Sequence, residues 1–326
     1  VLDSTAVAAL NGGITLAGRV NVTTNGIGVA VWSKGEGSAA NSFTLKSGAL
    51  TINSARSTAL YVSGGNVTFG EGTEVAITSE SDNDCRLTNG NALFNGVFVQ
   101  GGTLIADGTF NVTHTGAGAA VCVQGNATFG GAVTVTKNAA ESYPSAAALY
   151  DAVHIESGSM TVGAEFTVTH SGIGAAVYVA GNITLSGTAE ITNDMTGVSY
   201  IEGADVSYDG VYVGGTLNAS EAVFNVTHTG VNNDYSGNYD KLVVRSYAVR
   251  VEGGADSKVT IGSGRITNSV GGGLYVNGGT VEVGTAGDDG EAGSAQLTIS
   301  ATGSGYDGTW YDTNGNTANG SNAWHY

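Results

Sequence analysis

A short phrase repeated ten times constrains this chain more than anything else in it: a small residue, an apolar residue, a variable residue, then usually Val or Ile. Clear copies are Ala59-Leu60-Tyr61-Val62, Gly96-Val97-Phe98-Val99, Ala120-Val121-Cys122-Val123 and Ala176-Val177-Tyr178-Val179. Taking the second residue of each copy as an anchor gives positions 7, 31, 60, 97, 121, 153, 177, 211, 249 and 274. The intervals have a floor of 24 residues and only lengthen from there. A coil of fixed circumference behaves this way when loops enter some of its turns. One such repeat cannot bury its apolar side alone, so neighbouring repeats must stack.

Within one clean interval lie three apolar alternations: Val177-Tyr178-Val179, Ile183-Thr184-Leu185 and Ala189-Glu190-Ile191. Period-two patterning rich in Val and Thr and cut by Gly is the signal for strands, and no stretch keeps helical spacing. The expected fold is all-β. It is a single-stranded right-handed parallel β-helix of about ten rungs, each of three short strands, over residues 1–300. Residues 301–326, with Trp310, Tyr311, Trp324 and Tyr326, read as an aromatic cap or assembly segment. Neighbouring rungs would lie ~4.8 Å apart. The one proline, Pro144, falls in an insertion between rungs, where a missing ladder donor does no harm.

With 28 acidic and 11 basic side chains the net charge is −17. Nucleic acid and anionic membranes need a basic footprint, so both are poor partners. No apolar run approaches the ~20 residues of a membrane span. The two cysteines, Cys85 and Cys122, are too few for a disulfide framework; a bridge between them and two unlinked thiols both fit. The chain starts at Val1 without a signal peptide, which reads as a mature or excised segment. No capping element precedes the first rung, so that edge calls for cover by another part of a longer protein or by another copy.

Stacked rungs turn sequence positions into columns. The residue after each anchor should point outward, and six of the ten are aromatic: Trp32, Tyr61, Phe98, Tyr178, Tyr212 and Tyr275. They read either as rings packed over their small neighbours or as a strip that binds sugar rings or a partner chain. The residue before each anchor should share that outward face, yet it is always Ala or Gly. A bend in the backbone or a closely packed partner would explain it. Ranked threonines mark the other two strands, as pairing across rungs favours. A two-rank array of the ice-binding kind fails, because the partner rank includes Asn21, Ala76, Asn111 and Glu190. Alternation of Asn and Thr around inward residues also accounts for the Asn-X-Ser/Thr triplets.

His114, His170 and His228 recur in matching contexts. They fall two rungs apart, roughly 10 Å, whereas zinc ligands lie ~2 Å from the metal; they read as turn residues. Asp82, Asp84, Asp288 and Asp289 are weak calcium candidates in acidic loops. No catalytic residues stand out: basic residues are not clustered as a polyanion lyase needs, and Asp288-Asp289, the one adjacent aspartate pair, lies in a Gly-rich loop.

The phrases Val99-Gln100-Gly101-Gly102-Thr103-Leu104 and Val276-Asn277-Gly278-Gly279-Thr280-Val281 resemble the Gly-Gly-Thr repeats of autotransporter-type adhesin passengers. The resemblance implies a bacterial, secreted, surface-displayed β-helix. Such a rod contacts glycans or proteins of host or neighbouring cells, without a cofactor. The period is longer than the commonest repeat of that family. The long insertions, near residues 79–95, 137–150, 194–209 and 229–246, nearly all follow the third strand. They should leave one corner as a ridge, where repeat proteins often bind. Two alternatives are a cell-surface filament or layer subunit that assembles end to end with further copies, and a polysaccharide lyase or glycoside hydrolase.

Overall fold

The Val- and Thr-rich alternations become parallel strands, and along the second and third strands of a repeat their side chains sort by parity. In Glu74–Ser81 the alternate residues Val75, Ile77, Ser79 and Ser81 are buried while those between them are exposed. The computed structural model describes residues 5–10, 12–26, 28–35, 42–81, 95–139, 150–198, 207–229, 246–269, 271–284 and 296–301. It also describes the backbone of Thr309–Tyr311, Thr317–Asn319 and Trp324–His325. The described residues form strands and no helix.

Two large parallel sheets account for nearly all of them. An 11-stranded sheet runs from Val7–Ala9 to Trp324–His325, taking one strand from each repeat in sequence order. Its register matches the repeat: Val7 pairs Val31, Val31 pairs Leu60, Leu60 pairs Val97, and so on through Val249 and Leu274. All ten anchors therefore lie in one column. A 16-stranded sheet holds the second and third strands of each repeat. Four long strands, Ile14–Thr24, Ser42–Ser54, Thr216–Thr229 and Lys258–Asn268, run through both positions without a break. Register slips between Leu16 and Gly18 and between Ala219 and Val223 mark the bend. Every circuit returns to the same three columns, an arrangement consistent with a β-solenoid.

One continuous core fills the space between the columns. Val121, Val153 and Val177 from the first column meet Phe69, Phe110 and Phe129 and the Val and Ile residues of the third. Phe69, Phe110 and Phe129 run along it with ring centroids 6.0 and 5.1 Å apart.

The Ala/Gly column lies inside this core, not on the outer face. Ala30, Ala59, Ala120, Ala152, Ala176 and Ala248 are all fully buried members of it. The chain turns between the third and first columns, so two successive residues both face inward, and alternation fails there. Smallness follows from crowding: a Cβ on Gly96 would lie 2.7 Å from Ser79 Oγ and 2.8 Å from the Ala120 carbonyl.

In the C-terminal segment, the strand containing Trp324 extends the 11-stranded sheet by pairing with Gly272–Asn277. Trp310 and Tyr311 lie in a two-stranded antiparallel ribbon. Tyr326, Cys85 and the calcium candidates Asp82, Asp84, Asp288 and Asp289 lie outside the described residues. Cys122 is a buried free thiol.

Candidate functional site

The residues after the anchors do lie on the side of the first sheet away from the core, but they form a ladder rather than an open strip. Trp32 stacks on Tyr61 at 6.1 Å, and Tyr61 on Phe98 at 5.4 Å. After Cys122, His154 stacks on Tyr178 at 4.5 Å and Tyr178 on Tyr212 at 4.7 Å. The Arg250 guanidinium then lies between Tyr212 and Tyr275, 5.6 and 5.9 Å from their centroids. The ~4.8 Å rung spacing is close to a stacking distance, so in-register rings cover one another's faces. Tyr61 and Phe98 are only 8% and 9% exposed, while Trp32, Tyr178, Tyr212 and Tyr275 are half-buried. Polar tips are also engaged: Trp32 Nε1 donates to Ser63, Tyr61 to Gln100, and Tyr212 to the Glu252 carbonyl. Burial raises the Tyr61 and Tyr212 hydroxyl pKa values. Sugar stacking requires free ring faces, and most of these are taken.

Two ionic clusters interrupt the ladder. Asp151 Oδ2 lies 2.7 Å from His154 Nδ1, and His154 pairs in register with Cys122. Thiol, imidazole and carboxylate thus adjoin, the parts list of a nucleophilic triad. However, Cys122 is 1% exposed, and burial, with Glu156 and Asp151 nearby, pushes its thiol pKa far up. A thiolate is disfavoured there. Farther along, Arg250 contacts Glu252 and lies 3.6 Å from Asp209. Asp209 is fully buried, and burial raises it to about 6 against the pull of Arg250.

The least expected feature is a buried polar column at the end of the third strands, where the chain turns back toward the first sheet. In register it reads Ser54, Ser79, His114, Lys137, His170, Asn193, His228 and Asn268. Every one is at most 3% exposed. The three histidines are therefore core residues, not turn residues. Strand parity carries the same message, since Phe110, Val112 and His114 share one face. As the spacing required, they sit two rungs apart. Among the described residues no group of His, Cys, Asp and Glu could hold a metal ion.

These histidines fasten the places where long connections leave and return. His114 Nε2 lies 2.8 Å from the Ala117 carbonyl and 3.3 Å from Ser81 Oγ, the last described residue before 82–94. His170 Nε2 lies 3.0 Å from the carbonyl of Tyr150, where the chain resumes after 140–149. His228 Nε2 lies 2.8 Å from Ser246 Oγ, which donates to the Tyr208 carbonyl at 3.0 Å. Burial lowers His114 well below the usual histidine range and His228 to about 4, so both stay neutral. On the facing strand ends, Asn95, Asp151 and Asp209 each accept the amide of the next rung: Ala119 at 2.8 Å, Ala175 at 2.7 Å and Tyr247 at 2.9 Å. The sequence signal for this set is an Asn or Asp two residues before the anchor in the fourth, sixth and eighth rungs. Those same rungs carry the histidines.

Four long connections start from one outer column, while a fifth, 284–296, leaves the second strand of its repeat. Glu80, Asn138, Asp194 and Thr229 share a register position through Thr115 and Ser171. Each is followed by a long segment: 82–96, 139–152, 195–210 and 230–246, against 117–120 or 172–176 in the short turns. Compared with protein-family models, curated proteins and solved structures, the chain has no match.

Proposed function

We propose that this chain is a non-catalytic extracellular rod, a right-handed parallel β-helix of about ten rungs. It binds a glycan or protein of a host or neighbouring cell through loops displayed along one corner. The observation that carries the reading is the shared column of departure points at Glu80, Asn138, Asp194 and Thr229. A scaffold that places four long insertions at one corner, and fastens strand ends there with buried histidines, is built to carry loops. The likeness of its Gly-Gly-Thr phrases to autotransporter-type adhesin passengers points the same way. So does the ladder, whose stacked faces favour the loops over the aromatic strip as the contact surface. The acidic balance, −17 overall, favours solubility and selects against anionic partners.

Replacing residues 141–148 and 231–244 with short Gly-Asn linkers, alone and together, tests this. Binding to glycan arrays and to bacterial and animal cells should fall at least tenfold, while cooperative thermal unfolding is kept. Folded loop-replaced rods that bind as well as the parent would refute the reading. Release of oligosaccharides from acidic or neutral polysaccharides by the parent would refute its non-catalytic half.

A further inference from the structure

We infer that His170 is held as an imidazolium in the protein core, and that its neighbour Lys137 is the uncharged member of the pair. His170 Nε2 lies 3.0 Å from the Tyr150 carbonyl, which only accepts, so that nitrogen carries a proton. His170 Nδ1 lies 2.7 Å from Asn193 Oδ1, which also only accepts. The amide of Asn193 is not free to turn over, because its nitrogen donates to the Asp209 carbonyl at 2.8 Å and the Gly174 carbonyl at 3.4 Å. Turning it would lose both bonds and set an oxygen against two oxygens. A neutral His170 would leave a ring lone pair facing an oxygen inside the core, where an unmade bond costs most. Both ring nitrogens therefore donate.

His114 and His228 differ in the one detail that matters. At His114 the second nitrogen faces the Ser79 hydroxyl at 2.7 Å, a group able to donate. At His228 the second nitrogen is buried without a partner. Backbone carbonyls also act on both rings, that of Ser79 on His114 and that of Asn193 on His228, but only His170 has each ring nitrogen bonded to a group that cannot donate.

The charges around His170 pull in opposite directions. Lys137 faces it from the preceding rung and Asn193 from the following one. The Asp151 carboxylate, itself bonded to His154, acts on it from the first sheet, and His114 and His228 lie two rungs away on either side. Burial, the largest influence, and a charged Lys137 lower His170 from the ordinary histidine value; its bonds to Asn193 and Tyr150 and the Asp151 charge oppose that lowering, and the two acceptors are what argue for the second proton. Lys137 is fully buried, and its amine bonds a single acceptor among the described residues, the Gly116 carbonyl. One acceptor does not satisfy an ammonium's three donors, and burial lowers Lys137 to about 7. Once Lys137 gives up its proton, its repulsion of His170 disappears. The column then holds one positive charge against one carboxylate, an inversion of the ordinary order in which lysine outcompetes histidine for protons. Because His170 holds Tyr150, this charge state sits at the root of the 140–149 connection. The inference does not depend on what the rod binds.

Long-range proton–nitrogen NMR of the full chain labelled at histidine nitrogen decides it at pH 8, with His170→Gln or backbone correlation supplying the assignment. His170 should show two equivalent protonated ring nitrogens, while His114 and His228 show the split pattern of an Nε2–H neutral ring. A split pattern at His170 would overturn the inference. So would a Lys137 side-chain nitrogen that is still an ammonium at pH 9.

Discussion

Replacing Lys137 with Met should change how stability depends on pH more than any other single substitution. Lys137 is fully buried without an ion pair among the described residues, and its free-chain value of 10.5 falls to about 7 on folding. A basic group whose pKa is depressed by folding binds its proton more tightly in the unfolded chain. Stability therefore rises with pH from about 7 to about 10.5 and is flat below 7. At ~1.4 kcal/mol per pH unit, the full drop corresponds to ~5 kcal/mol, an upper figure because Asp151 and local relaxation moderate it. Methionine has a similar length, carries no charge and leaves one carbonyl, that of Gly116, without its donor, at a cost of ~1 kcal/mol. Urea unfolding at pH 7.5 and pH 9.5 separates the contributions. The parent should gain ~2 kcal/mol more than Lys137→Met between those values, and the variant should be the more stable of the two at pH 7.5. Equal pH slopes would show that Lys137 keeps its charge in the fold and would refute the reasoning.

Three further outcomes follow from the packing and the charges. Phe110→Ala, which opens the middle of the Phe69–Phe110–Phe129 row, should cost ~3–5 kcal/mol in the same urea assay. Asp209 is raised from 3.8 to about 6, so its folded form binds a proton more tightly. That stabilisation is complete below pH 3.8 and lost as pH rises through 6. Against Asp209→Asn, the parent should therefore gain ~3 kcal/mol on going from pH 7 to pH 3.8. Changing Tyr178 and Tyr212 together to Ala removes two stacked rings. Thermal unfolding should show a clear loss of stability, with cell and glycan binding unchanged.

The repeat register was legible in the sequence because an inward Val or Leu must meet its equivalent one rung away. From Val7 to Leu274 no anchor is misplaced. The corner was not legible. Alternation holds along a straight strand, but where the chain turns, Ala30 and Val31 both face inward, and no period-two rule says so. The ladder was half legible: Tyr61 and Phe98 do lie opposite the core, yet parity does not reveal that in-register rings cover each other. The histidines were missed for a different reason. A polar residue beside an insertion reads as a turn, although the parity of Phe110, Val112 and His114 placed it inside. Burial there is tolerable only because strand-end carbonyls and hydroxyls wait at the corner, and those partners come from other rungs.

If four of the long connections leave one line along stacked rungs, their departure points lie at multiples of one spacing, and a single distance reports it. Spin labels at positions 80 and 229, on a chain with Cys85 and Cys122 changed to Ser, sit on the shared outer column five rungs apart. Pulsed electron paramagnetic resonance should give one narrow distribution centred near ~24 Å, five spacings of ~4.8 Å. A centre beyond ~40 Å, or several separate distances, would contradict the account.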